Sequence, residues 1–275
     1  MPRTATLDHV TLQLCEPDDL RLSWVGRDDL LAQLEAAWLV VDERDLPMNP
    51  RLIGKPGVGK TTLAYAAARA SGKPAYLFQA TMDTRPEDLI VTPVVAPGGG
   101  IVYAASAIVT AMIDGGVAIL DEGNRMSEKS WASLAPLLDR RRYVESLVAG
   151  IKIRAHEGFR FVATMNDDAS TFDLPEYVQS RLMPTVVIDF PEPDEERAIL
   201  ENNLPFAKEE VLAYVTAFLA RAHAADEPYT ARDGVNLARY AIKRAAQRGA
   251  EAGPADLREA LVRTLGVDAL RHLVD

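Results

Sequence analysis

The chain holds one cysteine, Cys15, in 275 residues. A single thiol closes no internal disulfide, so no covalent framework supports the fold, and this sparse usage fits a reducing compartment. No run approaches the roughly 18 apolar residues that a membrane-crossing helix needs. The first residues, Met1 to Asp8, lack the apolar core of a secretory leader. Together these absences predict a cytoplasmic protein with no membrane insertion. Positive charge is also scarce: 30 Lys and Arg face 40 Asp and Glu, for a net charge of −10. Non-specific nucleic-acid binding depends on Lys and Arg neutralising phosphates, so nucleic acid is not the expected partner. The tight basic cluster Arg140-Arg141-Arg142 closes an expected helix, where it reads as a dipole partner or a solvated edge. There is no internal repeat and no low-complexity tract.

What the chain does have is the run Gly54-Lys55-Pro56-Gly57-Val58-Gly59-Lys60-Thr61. It fits the phosphate-loop pattern G-x-x-x-x-G-K-[ST] at every position. The glycines let backbone N–H groups wrap a phosphate chain, Lys60 reaches the β- and γ-phosphates, and the Thr61 hydroxyl holds Mg²⁺. Such a loop must end at a helix N-terminus, where free N–H groups and the dipole favour anions. Its four fixed positions match by accident in roughly one chain of this length in a hundred. The context agrees. Arg51 to Ile53 is a short apolar strand after Pro47 and Pro50, and Thr62 to Ala70 is strongly helix-forming, with Gly72 as its stop.

The apolar content of 48% and the length allow one large domain or two modest ones. Residues 28–41 carry apolar side chains at helical spacing behind Asp28 and Asp29. Further strands are expected at 74–80, 117–120, 159–164 and 185–190. Hairpins are expected at 92–104, around Pro97 to Gly100, and at 143–153, around Ala149-Gly150. Helices are expected over 106–114, from Ser127 to about Leu138, and from near Leu174. Short strands alternating with helices predict a parallel sheet covered by helices. Past Pro191 and Pro193 no convincing strand remains; Val211, Leu212, Val215, Phe218 and Leu219 share one helical face, and Val235, Ala238, Ile242 and Ala245 another. The expected architecture is thus an α/β nucleotide-binding core over 1–192 and a small all-α domain over 193–275.

The buried strand 117–120 runs into Asp121-Glu122. Carboxylates at the C-terminal end of such a strand reach the crevice where α/β sheets bind ligand. About 60 residues after a phosphate loop, Asp121 is the expected Mg²⁺ ligand and Glu122 the group that orients and deprotonates the attacking water. Asn166 ends the strand Phe161 to Asn166, where an amide can position water, although by itself the residue reads better as a turn-forming Asn. Arg181 and Arg232 read by themselves as surface residues.

Taken together, these segments resemble an AAA+ ATPase of the MoxR-like and dynein-related branch. Gly54 to Thr61 stands as Walker A and Val117 to Glu122 as Walker B. Leu120-Asp121-Glu122-Gly123-Asn124-Arg125-Met126 is similar to the branch's DE-x-N-R extension. Ala163 to Asn166 looks like sensor 1, Ser180-Arg181-Leu182 like the arginine-finger segment, Thr230-Ala231-Arg232 like sensor 2 in a helical lid, and Val25-Gly26-Arg27 like the segment beside adenine. The resemblance spans roughly residues 18–265. It implies a nucleotide site built from Val25, Gly26, Gly54, Pro56, Gly57, Val58, Gly59, Lys60, Thr61 and Thr62. Glu122, Asn166, Arg181 and Arg232 would serve turnover there, with ATP and Mg²⁺ as cofactors. It further implies a homo-oligomeric ring, usually hexameric, with ATP between subunits and Arg181 acting across the interface. Arg232 would couple nucleotide state to lid angle, and the hairpins would act on a protein client in a chaperone-like way, often with a von Willebrand factor A partner. Gly123 stands where the branch has an apolar residue, which predicts a looser loop; Leu182 replaces a common Phe without expected consequence.

Two other functions fit parts of the pattern. Met165-Asn166-Asp167-Asp168 is faintly similar to a segment of GTP-using restriction subunits, which would make the chain a nucleic-acid-linked motor. A P-loop kinase acting on a small molecule would share the phosphate loop but not Asn166 or Arg232.

Overall fold

The computed structural model describes residues 3–20, 23–96, 98–167 and 174–273; Pro97 of the expected turn and Asp168 of the Met165–Asp168 segment lie outside them. In chain order the elements are β1 (Thr4–Leu7), β2 (Val10–Gln13), α1 (Asp28–Trp38), β3 (Arg51–Gly54), α2 (Lys60–Ala70), β4 (Ala75–Gln79), β5 (Val91–Val95), β6 (Ile101–Ala105), α3 (Ala107–Asp114) and β7 (Val117–Asp121). A 3₁₀ turn, Gly123–Arg125, leads to α4 (Glu128–Leu134), β8 (Tyr143–Ser146), β9 (Ile151–Arg154), β10 (Arg160–Asn166), α5 (Glu176–Gln179) and β11 (Thr185–Val187). Then come α6 (Pro193–Asn203), α7 (Glu209–Ala224), α8 (Ala231–Gln247), α9 (Pro254–Leu265) and a 3₁₀ stretch, Val267–His272.

The chain divides into two units. The first comprises Met1–Leu22, Asp28–Gly54 and Lys60–Ile188; the second comprises Ser23–Arg27, Lys55–Gly59 and Asp189–Asp275.

In the first unit five strands form a sheet in the order β11-β3-β10-β7-β4, every neighbour parallel. Residues 117–120 of β7 are fully buried, as a central parallel strand covered on both faces requires. Tyr76, Ile108, Met112, Trp131, Phe159 and Phe161 belong to the core packed on it. Helix α3 lies where expected because its ends are specified locally. The Ser106 hydroxyl accepts from Val109 N at the N-terminus, and Gly115 closes the C-terminus at φ 70°, a left-handed position suited to glycine.

A second sheet, β1-β2-β6-β5, includes an N-terminal hairpin that sequence patterning did not suggest. Its turn residues Asp8 and His9 have φ of 45° and 72°, the backbone of a two-residue hairpin that usually advertises itself by Asn-Gly or Asp-Gly. Arg3 beside it is ion-paired to Asp114 at 2.5 Å. The expected hairpins are present as β5–β6 and β8–β9.

Two helices end sooner than expected. Helix α1 stops at Trp38, whose indole N–H donates to Phe161 O at 3.0 Å, and Val41 is 77% exposed rather than on the buried face. Helix α4 stops at Leu134; Ala135 still has helical backbone at φ −54°, ψ −40°, but Pro136 has no N–H with which to continue the ladder. Where Gly123 suggested a loose loop, the structure has a buried turn. A Cβ on Gly123 would lie 3.0 Å from the Trp131 ring, so an apolar side chain is replaced there by the approach of an indole.

In the second unit the four helices α6 to α9 surround an apolar core that includes Leu200, Val215, Phe218, Leu219, Leu237 and Leu261. Helix α8 starts in a capping box between Thr230 and Asp233, which satisfies two amide donors that the first turn leaves open.

Candidate active site

The register of the five-stranded sheet determines which side chains meet. Asn166 pairs with Gly54 across β10 and β3, and Gln79 with Asp121 across β4 and β7. Gly54, Asp121 and Asn166 therefore stand at one edge of the sheet, its carboxyl edge, where parallel α/β sheets place ligands.

Thr61 lies in the first turn of α2. Its hydroxyl donates to Asp121 Oδ1 at 2.9 Å. Adjacent oxygens around an octahedral Mg²⁺ with bonds near 2.1 Å are about 3.0 Å apart. The two expected metal ligands thus already have the spacing of neighbouring corners. Thr164 on β10, which sequence reasoning did not single out, also donates to Asp121 Oδ1, and its oxygen accepts from Glu122 N at 3.1 Å. Among the described residues no group of three His, Cys, Asp or Glu could hold a metal. The Lys60 side chain is 7% exposed and its ammonium donates to Gly54 O at 2.8 Å, which keeps a compact cation at the mouth of the loop.

Glu122 sits at φ 54°, a costly backbone for a residue with a Cβ. Arg125, one turn on, holds its carboxylate at 2.5 Å. Asn124, which stands in the segment similar to the DE-x-N-R extension but had no role assigned to it from the sequence, clamps the tip of β10. Its Nδ2 donates to Asn166 O at 2.7 Å and its Oδ1 accepts from Asn166 N at 3.4 Å. The turn after β7 and the end of β10 are thus fixed to each other, which orients Glu122 and Asn166 as a pair.

In the second unit Gly57 and Gly59 have φ of 91° and 98°, conformations that glycine adopts freely. A Cβ on Gly57 would meet the Thr230 hydroxyl at 2.6 Å and Arg232 Cβ at 3.4 Å. A Cβ on Gly59 would meet the Trp24 ring at 3.3 Å, and one on Gly26 the same ring at 2.8 Å. Residues 55–59, which include Pro56 and Val58, thus lie against Trp24 beside Val25 and Gly26 and against the start of α8 with Arg232. Thr62 follows in the first turn of α2. Trp24 gave no signal as a site residue, and its indole N–H is buried without a partner.

Arg181 does not join this group. It follows α5 and precedes β11, and its carbonyl accepts from Asn49 Nδ2 at 3.3 Å. Pro184 O accepts from Arg51 N at 3.0 Å. These contacts put Arg181 at the amino edge of the sheet. The strand from Arg51 to Gly54 alone covers about 10 Å toward the opposite edge. Arg140 to Arg142 is not a free basic patch: Arg141 is bidentate on Asp139, and Arg142 donates to Phe159 O at 3.0 Å. Burial and nearby Arg160 push the Arg142 guanidinium down to about 10.

Residues 51–182 match the family described as AAA domain (dynein-related subfamily). An uncharacterised protein of Staphylococcus epidermidis is 23% identical over 178 residues, covering 63% of this chain and 67% of its own. One of Staphylococcus aureus is 26% identical over 163 residues, covering 58% and 60%. Among solved structures, the Thermotoga maritima RuvB Holliday junction branch migration motor superposes with a TM-score of 0.60 at 16% identity, over 89% of this chain and 71% of that one. At that identity the likeness speaks for the fold.

Proposed function

Residues 51–182 are an AAA domain of the dynein-related subfamily, and the protein is an AAA+ ATPase; from that premise we propose that it works as a homo-oligomeric, hexameric ring. In this reading it binds ATP with Mg²⁺ and uses turnover to remodel or activate a protein client in the MoxR-like manner, together with a von Willebrand factor A partner in the cytoplasm. Gly54 to Thr62 wraps the phosphates, with Lys60 on the β- and γ-phosphoryl oxygens. Val25 and Gly26 lie beside the base, and Arg232, next to Gly57, reaches the phosphates from α8. Thr61 and Asp121 would hold Mg²⁺, which would supply positive charge to offset that of the transferred phosphoryl group. Glu122, held by Arg125, takes a proton from the attacking water, which Asn166 orients.

The observation that carries the ring is the placement of Arg181. A cation at the amino edge of the sheet cannot reach phosphates at the carboxyl edge of its own sheet. It can reach those of a neighbour, and an arginine supplied in this way contributes about 10³–10⁵ in rate. The test is subunit mixing. Arg181→Ala and Glu122→Gln chains, each inactive alone, are expected to regain ATPase activity when mixed, because rings then contain sites with both an intact base and an intact finger. A mixture that stays at background counts against the shared site.

A further inference from the structure

Arg181 is held in an unusual way for a residue at the protein surface. Its guanidinium lies between two supports. Nη1 donates to Tyr177 O one turn back, with the guanidinium carbon 5.8 Å from the Tyr177 ring centre. Nε faces Asp139 Oδ2 at 3.6 Å, with the two side chains 28% and 23% exposed. Asp139 is itself rigidly placed. Its Oδ1 accepts from Arg141 N at 2.9 Å and Arg141 Nε at 3.0 Å, and its Oδ2 accepts from Arg141 Nη2 at 2.8 Å. Those bonds hold the Asp139 carboxyl below the usual carboxylate range. Buried Asn49 links the two segments, donating to Leu138 O at 3.1 Å and to Arg181 O at 3.3 Å.

We propose that Asp139, fixed by Arg141, is a positioning residue that presents Arg181 to the nucleotide of the neighbouring subunit. This rests on the reading of Arg181 as a finger acting in trans.

The geometry separates presenting from trapping. At 3.6 Å the Nε contact is an ion pair beyond hydrogen-bonding distance, and both of Asp139's oxygens are already committed to Arg141. Asp139 therefore steers Arg181 by charge without tying it by a hydrogen bond of its own. A partly exposed pair of this kind is weak, whereas the finger contact is worth orders of magnitude in rate. The neighbour's phosphoryl group wins that competition. What Asp139 supplies is a long, flexible side chain already aligned, and misplacing a charge-stabilising group by about 1 Å can cost a hundredfold in rate.

Three variants of the full chain test this. Asp139→Ala, and Asp139→Asn, which keeps an acceptor for Arg141 N, are each expected to lower kcat about tenfold while leaving KM for ATP and the melting temperature unchanged, because the nucleotide is held by the other subunit. Asp139→Glu is expected to restore most of the rate. The defect must also lie on the donor side of the interface. Mixing Asp139→Ala chains with excess Glu122→Gln chains, which bring an intact finger and no base, is expected to raise turnover per Asp139→Ala subunit toward the parental rate. Parental kcat in Asp139→Ala, or a loss that excess Glu122→Gln chains do not repair, overturns the positioning role if the Arg181→Ala and Glu122→Gln mixture recovers. Failure of that second mixture instead removes the trans finger itself.

Discussion

Trp24 carries a consequence at the scale of a single side chain. Its ring packs where side chains on Gly26 and Gly59 would be, and its buried N–H lacks an acceptor. An unpaired buried donor costs about 1–3 kcal/mol, and a nucleotide base or a water held by it offers acceptors. The other tryptophans, Trp38 and Trp131, are 4% and 1% exposed within the first unit's fold. ATP is therefore expected to change tryptophan emission through Trp24. The change should vanish in Trp24→Phe and be absent from Lys60→Ala at the same ATP concentration; a full signal in Trp24→Phe refutes the assignment. Residues of the phosphate loop were legible in the sequence because function fixes their spacing along the chain. Thr164 and Trp24 were not, and Asn124 was visible only as part of a motif, without its clamp on Asn166. Their roles depend on the register of β10 beside β7 and β3, or on a loop meeting a distant segment, and no local pattern records either.

The helices of the second unit show how far periodicity reaches among elements. The apolar faces of α7 and α8 were readable from 3.6-residue spacing. So was the strand–loop–helix order around Gly54. Element ends were less so: α1 was read three residues too long because Leu39 to Val41 continue an apolar pattern that no core receives, and the β1–β2 hairpin was hidden by an Asp-His turn. Gly234 on α8 illustrates what spacing leaves out. In an open helix, alanine there would gain about 1 kcal/mol over glycine. Here a Cβ would lie 2.7 Å from Leu219 Cδ1, 3.0 Å from Val215 Cγ1 and 3.3 Å from Leu200 Cδ2. All three neighbours are fully buried, and overpacking such a core costs about 1–3 kcal/mol. Crowding is the larger effect, so Gly234→Ala is expected to lower the denaturant midpoint of the helical unit by the equivalent of ~1 kcal/mol. An unchanged or raised midpoint means the three side chains give way.

Charge acts on the molecule as a whole, and here one buried carboxyl departs from the rest. The chain carries −10 net, and among the described residues Glu196 on α6 is 1% exposed with neither oxygen hydrogen-bonded. The nearest cationic candidate is His223 on α7, whose Nδ1 is 3.9 Å away. His223 stacks on Phe190, and its Nε2 donates to Tyr229 O at 2.6 Å. With that proton on Nε2, a neutral imidazole turns a lone pair toward Glu196 and gives its anion no support. Burial accordingly pushes Glu196 from 4.5 up to about 8. The sign of the linkage follows. Below about pH 4.5 Glu196 is protonated in both folded and unfolded chains and costs nothing. Between 4.5 and about 8 the unfolded chain releases the proton and the folded one keeps it, so stability falls as pH rises, by up to about 1.4 kcal/mol per unit, and levels off above pH 8. Glu196→Gln keeps the shape and removes the proton. Its melting temperature is expected to match the parent's near pH 4.5 and exceed it increasingly toward pH 8.5, by an amount on the order of 2–4 kcal/mol in stability. A constant difference across that range, or one that shrinks with pH, shows that the carboxyl ionises within the fold and that His223, protonated on both nitrogens, compensates it.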